Sequence, residues 1–251
     1  MDLHEIAKTI IEHIEKKPHV IDREIRIDKM DDIDIIEIEA VNGDVKISFS
    51  DEVSEAIVNA HVSVYESNEE ALEGIKYDLN RETLHIYYEE SKIDGISFEI
   101  KLPVKDYGKL KIVTKNGDIL ISNGRATHIG AETKNGKIEL KKGQSVAIMA
   151  RTKNGKIVVD EMDFSDNISN TLICQTANAD IIVAGLKHAN GKINIWGEAK
   201  NYHGLVDISG LGEGKCKETH FGQFLENSSN LEIILETKNG NIILQRDKVK
   251  K

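Results

Sequence analysis

Proline is nearly absent: Pro18 and Pro103 are the only two in 251 residues. No Pro-rich linker can separate domains, so a boundary has to show itself as a change of pattern. Cysteine is as scarce. Cys174 and Cys216 stand far apart and form no Cys-x-x-Cys pair, which reads as two reduced thiols and not as a disulfide framework. Aromatic residues make up only 5% of the chain, so burial must come from Ile and Val, whose branched side chains suit stacked strands. No run approaches the ~20 apolar residues of a membrane span; Ile181–Leu186 is among the longest. Met1–Lys8 lacks a basic start followed by an apolar run. No secretory signal is therefore expected, and the expected location is the cytoplasm.

Basic charge is also in short supply, with a net of -10 overall. Residues 1–110 hold 13 Lys and Arg against 27 Asp and Glu, a net of -14, while residues 111–251 hold 20 against 16, a net of +4. Nucleic-acid binding rests on neutralising phosphates, and such a chain is poorly equipped for it. Unlike halves do permit head-to-tail self-association, although solubility alone explains the acidity.

What the chain does have is repetition. Thr-Lys-Asn-Gly begins at Thr114, Thr133, Thr152 and Thr237, the first three 19 residues apart, and alternating apolar residues follow each copy. Degenerate copies start at Thr176 and Ala189, and His203-Gly204 begins another. Strand, Asn-Gly turn and strand at constant spacing predict an all-β fold: a β-solenoid of the single-stranded right-handed β-helix type. Three regions follow. Leu3, Ile6, Ile10 and Ile14 share one helical face, with Asp2 and Glu5 at capping positions and Pro18 as a stop, so 1–17 reads as an amphipathic helix capping the solenoid end. Residues 18–109 read as irregular strands, with an Asn42-Gly43 turn like the later ones. Residues 110–247 read as regular coils with insertions near 160–170 and 210–230.

Stacking in register would turn each repeated position into a column. Asn116, Asn135, Asn154, Asn178, Asn190 and Asn239 are expected to form an amide ladder. Gly117, Gly136, Gly155, Gly191 and Gly240 are expected to supply a positive φ at the turn. Ala179 replaces that glycine in the degenerate copy, which predicts a different turn there.

Phe98–Val104, Leu110–Ile119 and the Thr-x-Asn-Gly-x-Ile copies together resemble the bacterial "putative adhesin" family of unknown function, over about residues 95–245. The resemblance implies a β-helical, solenoid-type fold and brings no catalytic residues. Many members look exported or envelope-linked, a feature for which this sequence offers no signal.

Three readings of function follow. Repetition makes stiff, extended faces, so a non-enzymatic scaffold that binds a protein partner or itself comes first. Second, Lys115, Lys134, Lys153 and Lys238 precede the turn asparagines, while Lys137, Lys156 and Lys192 follow the glycines; two such rows would suit a glycan or other anionic polymer. Third, Asp160, Glu161, Asp163 and Asp166 cluster as the carboxylates of a glycan-cleaving enzyme would, although an acid-rich insertion is more often a solvated loop. No cofactor or metal site is expected: the histidines are scattered, and Gly210–Cys216 departs from the phosphate-loop spacing.

Overall fold

The computed structural model describes residues 19–64, 69–89, 93–164, 169–188, 193–201, 203–207, 218–223 and 229–245. The helix expected over 1–17 lies outside these residues, as do Asn190, Gly191, Lys192 and Asp166. Among the described residues there is no α-helix, only two short 3-10 turns at Met30–Asp32 and Glu69–Gly74. Alternation drives everything else. In Ala56–Val64 every second residue is buried, and Val45, Ile47 and Phe49 point inward while Lys46 and Ser48 point out, as a half-buried strand requires.

The strands form two ten-stranded sheets and one of three strands. At the heart of the first sheet, Ile119–Ser122, Ile138–Lys141, Ile157–Asp160, Ile181–Ala184 and Ile242–Gln245 run parallel. Their register sets Ile119, Ile138, Ile157, Ile181 and Ile242 side by side. The second sheet repeats the device with Tyr107–Val113, Ala126–Glu132, Ala147–Arg151, Ser169–Gln175 and Ser229–Thr237. Both sheets turn their apolar rows inward onto one buried cluster running from Ile27 to Leu244.

The β-helix expectation is nonetheless overturned. The sheets are mixed: His19–Ile27, Ala56–Val64 and Gly95–Pro103 are neighbours and antiparallel. Ile75–Asn80 folds back on Thr83–Tyr88 through Arg81, at φ 54, and Ile193–Asn201 lies antiparallel to Glu218–Gln223. Rung order also departs from chain order. Ser229–Thr237 lies between Ser169–Gln175 and Ile193–Asn201, and Ile242–Gln245 lies between Ile181–Ala184 and Val206–Asp207. A solenoid lays each coil on the open end of the one before it, whereas here the last copy is wedged between two earlier ones.

The small third sheet joins Gln144–Ser145, Asp163–Phe164 and Lys187–His188. The chain swings into it at corners where Lys142 and Glu161 adopt φ 51 and φ 54. Such backbone is unfavourable for these residues by about 1 kcal/mol. Hydrogen bonds between corners offset that cost: Lys142 N donates to Asp160 O at 3.1 Å and Glu161 N to Ala184 O at 3.1 Å.

Candidate functional site

The turns that follow the second-sheet strands lie one upon another along a single edge. Asn135 Nδ2 donates to Asn116 Oδ1, Asn154 Nδ2 to Asn135 Oδ1 and Asn178 Nδ2 to Asn154 Oδ1, each at 2.6 Å, and Asn239 Nδ2 donates to Asn178 Oδ1 at 2.7 Å. Asn116 donates in turn to Asn42. The amide column therefore reaches back into the N-terminal half, to a turn that spacing alone did not join to it.

A second column was not anticipated. Thr114, Thr133, Thr152, Thr176 and Thr237 are all buried, and each hydroxyl donates to a main-chain carbonyl of the adjacent turn. Thr133 reaches Gly117 O and Thr152 reaches Gly136 O, both at 3.1 Å, and Thr237 reaches Ala179 O at 2.9 Å. Asn201 takes the threonine's place in the outermost turn and donates to Gly240 O at 2.6 Å. The signal was present as the first letter of the Thr-Lys-Asn-Gly copies and of the copy at Thr176.

The glycines need correction. Gly117, Gly136, Gly155 and Gly240 do not adopt positive φ; among the described glycines only Gly185 does. Their role is close approach. A Cβ on Gly136 would run into the main-chain carbonyl of Gly117, and one on Gly155 into that of Gly136, so the absence of a side chain sets how tightly the turns stack. Nor is the turn at Ala179 different in its bonding, since Thr176 Oγ1 still reaches Gly155 O at 3.0 Å.

The two lysine rows fare differently. Lys115, Lys134 and Lys153 are exposed on three successive turns, locked by Lys134 N to Lys115 O at 3.1 Å and Lys153 N to Lys134 O at 3.2 Å. Ala177 interrupts the row, and Lys238 follows it. Among the described residues the other row holds only Lys137 and Lys156, because Asp44, Asp118 and Asp180 occupy the same place in neighbouring turns; Lys192 lies outside them. Those carboxylates accept main-chain N–H groups: Asp118 Oδ1 from Lys137 and Asp180 Oδ1 from Asn241, both at 2.7 Å. Lys137 is further neutralised by Glu139 at 2.9 Å. Burial pushes the Glu139 carboxyl up, but hydrogen bonds from Lys141 and Lys137 outweigh it and hold the group below its ordinary value. One cationic row survives.

That row borders an open groove of about 580 Å³. Lys115, Lys134 and Lys153 form one wall, and Glu39, Val113, Glu132 and Arg151, at the strand ends, form the other. Threonines 114, 133 and 152 lie along the floor and Tyr88 stands at one end. The groove thus sets walls of mixed charge over a repeating floor.

The carboxylate cluster is elsewhere, at the corner facing the third sheet, where Glu161 and Asp163 line an open hollow with Arg125, Lys142 and Gln144. Lys142 Nζ lies 4.0 Å from Glu161. Among the described residues no three His, Cys, Asp or Glu gather as metal ligands, and no helix is long and apolar enough to cross a membrane. Cys174 is buried among core residues, and desolvation drives its thiol pKa upward, away from reactivity.

No protein-family model and no curated protein matches this sequence. Solved structures do resemble the chain. A crystal structure described as a "putative cell adhesion protein" from Clostridium sporogenes superposes with a TM-score of 0.53 at 15% identity, over 92% of this chain and 100% of the other. A "putative adhesin" from Bacteroides fragilis covers 91% of this chain and 97% of its own at 10% identity, with a TM-score of 0.36. Another from Parabacteroides merdae covers 92% and 96% at 12% identity, with a TM-score of 0.35. The first likeness is one of fold, and the other two are too distant in shape to add to it.

Proposed function

We propose that this chain is a non-enzymatic binding protein, a rigid β scaffold of the adhesin-like kind, that holds an extended anionic polymer along its lysine-lined edge. The groove beside Lys115, Lys134 and Lys153 is the observation that carries this reading. Ammonium groups one strand spacing apart repel by roughly 0.9 kcal/mol per pair in water. A polymer whose negative charges recur along its length relieves that repulsion at each rung. Ordered turns fix the lysine backbones in advance, which lowers the ordering cost of binding. The Clostridium sporogenes protein of similar fold is described as a "putative cell adhesion protein", in keeping with a binding role.

Glycan arrays and polyphosphate titrations test the proposal. Binding should fall steeply with salt and be lost in Lys134→Glu/Lys153→Glu; binding unchanged by that double substitution would sink it. A protein partner is the second reading, favoured by the His19–Ile27 edge strand, which among the described residues pairs on one side only and exposes Val20. Capture of one defined protein, lost when Asp22 and Glu24 on that edge become prolines, would favour it.

A further inference from the structure

The outer face of the second sheet carries a notch that the groove does not explain. Register lines up Lys111, Gly130, Met149 and Ile173 across adjacent parallel strands, all pointing away from the core. Gly130 is the odd member. It has no positive φ, and a Cβ built on it would meet nothing within 4 Å. Neither turn geometry nor packing calls for glycine there, although glycine weakens a strand interior; such positions mark where another molecule comes close. Removing one side chain from the row opens a cleft of about 380 Å³, within the range of about 300–1,000 Å³ usual for small-molecule sites. Val113, Ala147, Met149 and Ile173 give it apolar walls, and Met149 is 40% exposed. Methionine's flexible thioether adapts to a chain laid against it.

The rim is cationic. Lys109, Lys111 and Arg151 line the cleft against a single carboxylate, Glu132. Glu37 pairs with Lys109 at 2.8 Å and lies in register beside Lys111, while Arg151 Nε donates to Gln175 at 2.8 Å and has Glu132 as its cross-strand neighbour; three cations against two carboxylates leave the rim with a net positive charge. We propose that this cleft binds a single unbranched alkyl chain bearing an anionic head, with the chain over Gly130 and the head between Lys111 and Arg151. The site shares the Val113–Glu132–Arg151 wall with the lysine groove and does not require that groove to bind polymer.

The test uses sodium dodecanoate below its micellar concentration, titrated calorimetrically into the full chain. One molecule should bind per chain. Affinity should tighten roughly threefold for each methylene from octanoate to dodecanoate, and dodecyltrimethylammonium should bind at least about tenfold more weakly. Gly130→Val fills the notch with a good strand former, so it should leave the melting temperature intact and weaken dodecanoate at least about tenfold while polyphosphate binding persists. Lys134→Glu/Lys153→Glu should do the reverse, which keeps failure of this site distinct from failure of the groove. Equal dodecanoate binding by Gly130→Val and the native chain overturns the proposal. So does binding to anionic vesicles without any to monomeric dodecanoate.

Discussion

Thr133 shows how much of this structure rests on single hydroxyls. Its side chain is 3% exposed and bonded to Gly117 O, so Thr133→Val keeps the shape and strands a buried carbonyl. The expected loss is about 1–2 kcal/mol in urea unfolding, with Thr133→Ser recovering most of it. Gly136→Ala acts on the same pair of turns by steric conflict with Gly117 O. It should cost about 2 kcal/mol or more, whereas Gly130→Ala, which meets nothing, should be neutral or slightly stabilising in the same assay. Residue identities suggested one role for the repeat's glycines and the structure assigns another. Asn-Gly in a hairpin calls for positive φ, but these turns join strands of different sheets, and the constraint is the neighbouring turn's carbonyl.

Rows and their neighbours decide the electrostatics at the scale of the element. Lys134→Glu should change stability by less than about 1 kcal/mol, since the side chain is exposed, while removing polyanion binding. Glu139 acts in the opposite way. Its folded pKa lies below the ordinary 4.5, so its stabilising contribution is present above that value and is lost as pH falls through the folded one. Melting temperature should therefore drop as the pH falls below 4.5, and less steeply in Glu139→Gln. Constant 19-residue spacing made the parallel rungs legible before any coordinates, because each rung repeats one burial pattern. Antiparallel neighbours such as Ala56–Val64 were not legible, since period-two alternation is the same whichever way a partner strand runs. The second lysine row misled for a related reason. Asp44, Asp118 and Asp180 hold the same repeat position, and the three-dimensional register shows them sharing its column.

Across the whole molecule, one buried cluster ties the two large sheets together, and the wedge of Ser229–Thr237 and Ile242–Gln245 lies inside both sheets near one end. Deleting residues 229–251 would remove strands from the interior of both sheets, not from an edge. Ile193–Asn201 would lose its parallel partner and Ser169–Gln175 one of its two. Hydrogen exchange should show protection falling throughout 169–207 in that truncation, with 107–151 much less affected. Sequence spacing offered no hint of the wedge: Thr237 carries the same four residues as Thr133, and nothing in those letters says which rung lies on either side.

The wedge also sets a schedule for biosynthesis. The stretch from 193 to 207 leaves the ribosome before its native neighbour Ser229–Thr237 does. Ser169–Gln175 then presents a bare parallel edge that Ile193–Asn201 could occupy in the wrong register. Residues 229–245 slot in behind strands already made, and a chain halted before them would leave 193–207 without its native neighbour.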